Sequence, residues 1–221
     1  MKLIKPYYTI LNENDLFRAC KEIELAARTC YQSEGKITED SYKTLITKLI
    51  KSGHEAMLEF GPSITVRFVC DRGVSHELVR HRLCDFAQES TRYCNYSKND
   101  EIVFITPPWI KNMPDSFVCD NGYSFNHVDC DTMLWMETLL VCEASYLRLL
   151  ELGWQPQQAR AILPNSLKTE INMKANIREW RHIFRLRCSP KAHPQMRELM
   201  IPLLQHFQRF APELFNDITY E

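Results

Sequence analysis

Two periods in the hydrophobic pattern divide the chain into strands and helices. Apolar side chains alternate with polar ones over 62–70 and again over 167–174, which predicts two strands that each bury one face. A further strand is predicted over 3–11, and an extended apolar segment over 102–105. Spacings of three and four between apolar residues predict helices over 15–28, 39–52, 132–152, 176–188 and 194–210. The interleaved elements indicate an α/β (α+β) fold class.

The strand over 62–70 leads into a helix with a strong polar face. Asp71 is predicted to cap this helix, which is predicted to run to about residue 83. Its apolar arc consists of Val74, Leu78, Val79 and Leu83. Its polar arc consists of His76, Glu77, Arg80, His81 and Cys84. Arg82 falls within the apolar arc, so we expect its guanidinium group to meet a buried partner or a neighbouring subunit.

Cations concentrate at the C-terminal end of this helix and in the segment that follows it. Arg80-His81-Arg82 is followed seven residues later by Ser90, and then by Arg92 and Tyr93. Cations packed near a core are costly unless an anion meets them. Because the planar donors of arginine match a phosphate, the segment predicts binding of a phosphorylated small molecule.

A second cation cluster lies on the helix predicted over 176–188. A helical wheel places Arg187 in the apolar stripe with Trp180, Ile183 and Phe184. An arginine on the core side is either a structural ion pair or a ligand of a buried anion. The pattern of this helix leaves both open, although a second segment of this character favours a binding site.

Composition narrows the class of protein. Lys and Arg number 27 and Asp and Glu 28, which argues against a nucleic-acid or membrane-surface protein. No apolar run approaches the roughly 20 residues of a membrane helix. The 221 residues predict a single domain spanning 1–221, with an insert around 94–131. None of the six glycines forms a G-x-G or Walker loop, so we expect arginines, amides and backbone groups to hold any nucleotide.

The cysteines indicate a reducing compartment and no metal. Nine are present, an odd number without a C-x-x-C pair, and no signal peptide is visible at the start of the sequence. We therefore expect reduced thiols in a cytoplasmic protein. Cys119, His127 and Cys130 fit no standard zinc spacing, so no metal site is expected.

With these motifs, the chain resembles the flavin-dependent thymidylate synthases (the ThyX family). The match rests on Arg-His-Arg, seven residues and Ser at positions 80–90, continued by Arg92-Tyr93. It extends to Gly53-His54-Glu55, to the run over 159–164, and to further positions on the helix over 176–188. Matches occur in order from about residue 28 to residue 193.

The resemblance implies a fold, a reaction and an assembly. The subunit would have a mixed or antiparallel sheet flanked by long helices. The reaction would methylate dUMP to dTMP, with 5,10-methylenetetrahydrofolate as carbon donor, NADPH as reductant and FAD as cofactor. The family has no enzyme nucleophile. It forms homotetramers whose active sites are shared between subunits, and no nucleic-acid or membrane partner is implied.

The resemblance also implies roles for individual residues. Arg187 would be catalytic, activating the uracil by favouring ionisation at N3. The positions matching dUMP-binding residues are Glu77, Arg80, Gln88, Ser90, Thr91, Arg92, Arg160 and Arg187. The positions matching FAD-binding residues are Arg80, His81, Arg82, Gln88, Asn176, Arg178 and His182. His54, His81 and His193 are candidates for folate or flavin contacts.

Four positions depart from the usual family pattern. Glu77 stands where many members have Gln, and Gln88 where many have Glu. Ala56 replaces a frequent hydroxyl residue, and Cys30 a frequent Ser.

Two other classes of function remain open beside the enzyme. One is a non-catalytic nucleotide-binding or regulatory protein that keeps the phosphate clamp. The other is an RNA-binding protein, which the near-neutral charge disfavours.

Overall fold

A computed structural model describes residues 1–94, 96, 102–111, 116–118 and 129–220. Within these residues the strands are β1 (Lys2–Ile4), β2 (Tyr7–Ile10), β3 (Ile64–Asp71), β4 (Asp85–Gln88), β5 (Val103–Ile105), β6 (Ser116–Val118) and β7 (Lys168–Ala175). The helices are α1 (Asn14–Cys30), α2 (Ser41–Lys51), α3 (Arg72–Leu78), α4 (Cys130–Glu151), α5 (Pro156–Ala159), α6 (Ile177–Arg187), α7 (Pro194–Phe210) and α8 (Pro212–Phe215). Short 3-10 turns occur at Glu34–Lys36, Glu55–Phe60 and Arg160–Ile162.

The chain divides into two compact units. Unit 1 comprises Met1–Tyr7, Val69–Leu78 and Gln88–Ile171. Unit 2 comprises Tyr8–Phe68, Val79–Ala87 and Asn172–Glu221. The single domain and the insert around 94–131 remain predictions, and much of that insert, with Cys119 and His127, lies outside the described residues.

Unit 1 contains a mixed three-stranded sheet in the order β5-β1-β6. Strand β1 pairs in parallel with β5 and antiparallel with β6. The long helix α4 contributes to the same core, which includes Leu3, Phe104, Met136, Tyr146 and Leu167. The buried positions of α4 recur at three- and four-residue spacing and include Met136, Leu139 and Tyr146, so this helix covers one side of the core.

A second sheet has the order β2-β3-β7-β4. The alternation predicted for its two long strands is observed over 64–68 and 168–175, whereas β3 buries both faces from Val69 to Asp71. Ile64, Val66 and Phe68 of β3 are buried, as are Ile171 and Met173 of β7. Period two places all of these on one face of each strand, so the hydrophobic pattern determines which face is covered.

The core of unit 2 is aromatic. Trp180 stacks on Phe184 with 5.6 Å between ring centroids, and Phe207 meets Phe184 and Phe215 edge-on at 5.1 Å. The indole Nε1 of Trp180 donates to the carbonyl of Ile64 at 3.0 Å, so its one polar atom is satisfied. This packing fixes α6, the helix that carries the second cation cluster.

Two boundaries differ from the sequence prediction. The strand predicted over 3–11 is broken into β1 and β2 at Lys5 and Pro6, since proline has no N–H for a ladder. The pattern also predicts Asn14 as the cap of α1, but the cap position is Glu13 and Asn14 is the first helical residue.

The helix capped by Asp71 is much shorter than predicted. Asp71 Oδ1 does accept the N–H of Val74 at 2.6 Å, but α3 ends at Leu78. The prediction that Arg82 lies in an apolar helical arc is therefore wrong: Arg82 is exposed in a turn. Leu83 is also 77% exposed. No glycine or proline marks the true end of this helix, and the buried contacts of His81 override its local helical pattern.

Within the described ranges, no helix is both long enough and apolar enough to cross a membrane.

Candidate active site

In unit 1, buried hydroxyl groups hold the end of β4. Gln88 Nε2 donates to Ser75 Oγ at 2.9 Å and to Thr169 Oγ1 at 3.2 Å. Arg72 Nη1 donates to the same Thr169 oxygen at 3.4 Å. Since Ser75 and Thr169 are fully buried, these bonds fix Gln88 and therefore the chain that leads to Ser90. Glu77 is half-buried on α3.

A turn at Ser90 gathers the predicted phosphate-binding residues of this unit. Ser90 accepts the backbone N–H of Tyr93 at 3.1 Å through its carbonyl. Arg160 Nη1 donates to Thr91 Oγ1 at 2.8 Å, which joins segments 69 residues apart in the chain. Arg92 and Arg160 are exposed, whereas Thr91 is buried. Arg92 of this turn and Arg160, which bonds to the turn through Thr91, are thus exposed donors of a kind that suits an anion.

The acidic residue next to this turn accepts hydrogen bonds from a lysine and a tyrosine. Glu89 accepts from Lys168 Nζ and from the Tyr96 hydroxyl, each at 3.1 Å. Burial and the Glu89 charge raise the pKa of Tyr96, so this phenol stays a proton donor. Lys168 Nζ also lies 2.7 Å from Glu170, so one ammonium group is shared by two carboxylates and offsets the Glu89 charge only in part. This group was not predicted from the sequence, because contacts of Lys168 and Tyr96 over such separations leave no local pattern.

In unit 2, a buried histidine meets the predicted catalytic arginine. Arg187 Nε donates to His81 Nε2 at 2.9 Å. His81 Nδ1 lies 3.7 Å from Glu179 Oε1, and the ring of His182 stands edge-on to it at 6.1 Å between centroids. The structure therefore brings three predicted site residues, His81, His182 and Arg187, into one cluster. Glu179 was not predicted as a member.

The electrostatics keep His81 neutral. Burial lowers the pKa of His81 to about 4, and the charges of Arg187 and His182 act in the same direction. Burial raises the pKa of Glu179, against the opposing charges of His182 and Arg178. At neutral pH the imidazole is thus an uncharged acceptor for the guanidinium group.

A polar cavity of about 370 Å³ opens beside this cluster. It is lined by Glu55, Glu59, Leu83, Asn176, Arg178, Glu179, His182 and Arg185. Three of the predicted flavin-binding residues thus share one cavity. Asn176 also caps α6, since its Oδ1 accepts the N–H of Glu179 at 2.8 Å. Arg80 and Arg82 are exposed in the turns that precede β4.

A second, more apolar cavity of about 360 Å³ adjoins α2. It is lined by Cys30, Tyr31, Leu49, Gly53, His54, Ala56, Met57 and Arg178. Gly53 has a φ of 72°, the left-handed conformation in which a glycine ends a helix. Arg178 lines both cavities, so its side chain can reach a ligand in either.

His193, a predicted folate or flavin contact, is exposed and caps α7, where its Nδ1 accepts the N–H of Gln195 at 3.4 Å.

The fully buried arginine of α6 is Arg181, not Arg187. Arg187 is half-buried, while Arg181 has no exposed surface. Arg181 donates to both carboxylate oxygens of Asp217 at 2.7 Å, to Glu55 at 3.3 Å and to the carbonyl of Leu214. A structural ion pair on the buried side of α6 is thus made by Arg181.

Acidification is expected to destabilise the protein through His81. Its folded pKa is about 4, against 6.5 for the free side chain, so the unfolded state binds more protons between these values. The contribution of His81 to the free energy of unfolding should be complete above pH 6.5. The free energy of unfolding should then fall by about 3 kcal/mol as the pH is lowered to 4. Glu179, which faces His81 with His182 and Arg187, offsets part of this loss, because its raised pKa favours folding on protonation.

Urea unfolding followed by tryptophan fluorescence at pH 7, 6, 5 and 4.5 measures this dependence. His81→Gln should flatten it, whereas His76→Gln, at an exposed position of α3, should leave it as in the wild type. The same slope in the wild type and in His81→Gln contradicts the assignment.

Comparison with known proteins identifies relatives along nearly the whole chain. Residues 15–213 match the family described as Thymidylate synthase complementing protein. A flavin-dependent thymidylate synthase of Mycolicibacterium gilvum is 31% identical over 204 residues, which covers 88% of this chain and 78% of the relative. One of Geobacter sulfurreducens is 28% identical over 201 residues, covering 88% and 80%.

A solved structure confirms the fold. The crystal structure of a UMP/dUMP methylase, PolB from Streptomyces cacaoi bound with 5-Br dUMP, is similar with a TM-score of 0.75 and 20% sequence identity. The similarity covers 99% of this chain and 98% of that one. The predicted α/β class with a mixed sheet and long helices is therefore confirmed. The family match and the 31% identity show that this chain belongs to the thymidylate synthase complementing protein family, the flavin-dependent synthases predicted from its R-H-R-x7-S motif.

Proposed function

We propose that this chain methylates dUMP to dTMP, with 5,10-methylenetetrahydrofolate as carbon donor, NADPH as reductant and FAD as cofactor. Membership of an enzyme family of flavin-dependent synthases supports the proposal. The observation that carries it is the 2.8 Å bond from Arg160 to Thr91, which joins two distant motif blocks at an exposed, cationic turn. Exposed arginines at such a turn are better explained by binding of a nucleotide phosphate than by a structural role in the core.

The phosphate of dUMP is proposed to bind at this turn. Arg92 and Arg160 would donate to its oxygens, with Ser90 and backbone N–H groups completing the shell. Arg80, Glu77 and Gln88 are the further dUMP-binding residues of the proposal.

Arg187 is proposed to act on the uracil ring. A guanidinium group is permanently charged, so it stabilises the anion that forms when N3 loses its proton. No enzyme nucleophile is needed in this proposal. The state of Cys84 agrees, since burial raises its pKa to about 12, assisted by Glu179 and Asp85, and a thiol that remains protonated is a poor nucleophile.

Residues that line two cavities of unit 2 are proposed to contribute to an FAD site. The donor set fits such a group: Asn176, Arg178 and His182 line a polar cavity, while Tyr31 and Met57 line an apolar one suited to a planar ring. Arg80, His81, Arg82 and Gln88 are the remaining proposed FAD-binding residues. When bound, FAD passes the electrons of NADPH to the transferred carbon.

A homotetramer with shared active sites is proposed as the working assembly. The exposed Leu83, beside the buried His81, offers an apolar side chain that a neighbouring subunit would cover. No nucleic-acid or membrane partner is part of the proposal.

The absorbance spectrum of the purified protein tests the cofactor and the reaction together. A flavin band that NADPH bleaches, followed by dTMP formation from dUMP and methylenetetrahydrofolate, is expected. Binding of dUMP without flavin and without product would instead favour the non-catalytic, regulatory alternative.

Ser90→Ala is expected to weaken dUMP binding and to preserve the chemistry. The loss of one hydrogen bond to a charged group should raise KM for dUMP about tenfold and change kcat little. Steady-state kinetics measure this, with Thr138→Ala, a hydroxyl deletion at an exposed position of α4, as the control. Complete loss of turnover at unchanged dUMP affinity would mean that Ser90 is a nucleophile.

A further inference from the structure

The bond between Arg187 and His81 fixes the protonation pattern of the imidazole. Arginine side chains have N–H donors and no acceptor, so the nitrogen that meets Arg187 Nε must carry a lone pair. That nitrogen is His81 Nε2, at 2.9 Å. A neutral His81 therefore carries its ring proton on Nδ1.

The rest of the cluster stabilises this tautomer. His81 Nδ1 faces the Glu179 carboxylate at 3.7 Å, and both side chains are less than a tenth exposed. A carboxylate on the Nδ1 side attracts the ring proton and so leaves Nε2 free to accept. Glu179, His182 and Arg187 all belong to α6, whose cap and aromatic packing make it a rigid support.

A hydrogen bond at Nε constrains the whole arginine end group. The Nε–H bond lies in the guanidinium plane, so an acceptor fixed on one side of it fixes the plane that holds both terminal nitrogens. A flexible arginine would lose rotamer freedom on binding a substrate, whereas one already oriented would not.

Resting on the proposed function, we propose that His81 is a positioning residue: it accepts the Nε–H of Arg187 and so sets the plane in which that guanidinium group meets the uracil. Glu179 holds His81 in the required tautomer. The role is distinct from a flavin contact, because it acts on dUMP through Arg187.

A metal centre is the competing interpretation of the same cluster. His81, Glu179 and His182 bring potential ligand atoms within 4.8 Å of one another. The charge of Arg187 opposes a cation here, and with His81 Nε2 accepting from Arg187, a metal on Nδ1 would have to displace the ring proton. The positioning role is therefore favoured, and metal binding is one outcome of the test.

A double-mutant cycle on dUMP affinity tests the proposal. His81→Leu removes the acceptor, His81→Gln supplies an oxygen acceptor, and Arg187→Lys keeps the charge without an Nε–H. His81→Leu should weaken dUMP binding about tenfold in the otherwise wild-type chain and less than about twofold in the Arg187→Lys background. His81→Gln should stay within about threefold of the wild type. Equal losses from His81→Leu in both backgrounds overturn the proposal.

A second measurement needs no substrate. In ¹⁵N-labelled protein purified with any bound FAD and without added dUMP, the Arg187 Nε–H should exchange slowly with water in the wild type and in His81→Gln. It should exchange rapidly in His81→Leu. Slow exchange in all three overturns the proposal. If the wild type binds no dUMP, the proposed function fails, while this exchange still decides whether His81 orients Arg187.

Titration with Zn²⁺ distinguishes a metal centre from the positioning role of His81. We expect no tight binding to the wild type. Micromolar or tighter binding that both His81→Gln and His182→Gln abolish would make the cluster a metal centre and overturn the positioning role.

Discussion

Replacing Arg187 by alanine is expected to lower the rate of dTMP formation by about 10²- to 10³-fold. The reason is electrostatic: a preorganised guanidinium group stabilises negative charge on the uracil only in the transition state. The side chain is half-buried and donates to His81, so its removal should change the free energy of unfolding by only about 1 kcal/mol. Single-turnover formation of dTMP measures the rate, and flavin absorbance measures the retained FAD.

Arg209→Ala is the matched control for this experiment. It removes an arginine of the same unit at an exposed position on α7, so it should keep the wild-type rate. Near-normal dTMP formation by Arg187→Ala would contradict the catalytic assignment. Loss of FAD together with activity would instead show that Arg187 supports the cofactor site.

The strands and the last two long helices could be predicted because their patterns are strict. Four alternating apolar positions defined β3, and the same alternation defined β7. The helix predicted over 194–210 agrees with α7, whose first position is a proline that needs no hydrogen bond there. In these segments the spacing of the apolar residues already determines which side is buried.

The end of α3 could not be predicted in this way. The polar and apolar residues after Leu78 fit one more helical turn as well as they fit the observed turns. The choice depends on His81, which is buried against Glu179 and Arg187, about 100 residues further along the chain. Local spacing contains no information about such a contact.

Only part of the candidate site could be predicted, again because local spacing contains no information about distant contacts. The motif named His81, His182 and Arg187, and the structure groups them, although their individual roles remain proposals. The helical wheel marked Arg187 as the core arginine because it considered one helix alone. The burial of Arg181 is decided by Leu214 and Asp217 in the C-terminal segment, which the wheel does not include.

Replacing Arg181 by alanine is expected to lower the free energy of unfolding by about 4 kcal/mol. The substitution leaves a cavity at a site with no solvent exposure and removes the donors of Asp217 and of the Leu214 carbonyl. Arg185→Ala is a matched control, because Arg185 contacts the same two carboxylates, Glu55 and Asp217, but is 42% exposed. Exposed ion pairs contribute less than about 1 kcal/mol. Urea unfolding followed by tryptophan fluorescence compares the two variants.

Comparing the Arg181→Ala and Arg185→Ala variants distinguishes the contribution of charge pairing to stability from that of burial. The bond from Arg185 is the main cause that lowers the pKa of Glu55, ahead of the charge of Arg181. Burial raises the pKa of Asp217, and mainly the Arg181 bond and charge bring it below its usual value. If charge pairing alone held this cluster, the two alanine variants would lose similar stability. Because Arg181 also fills buried space between α6 and the C-terminal segment, we expect its loss to cost several times more, and equal losses would contradict that explanation.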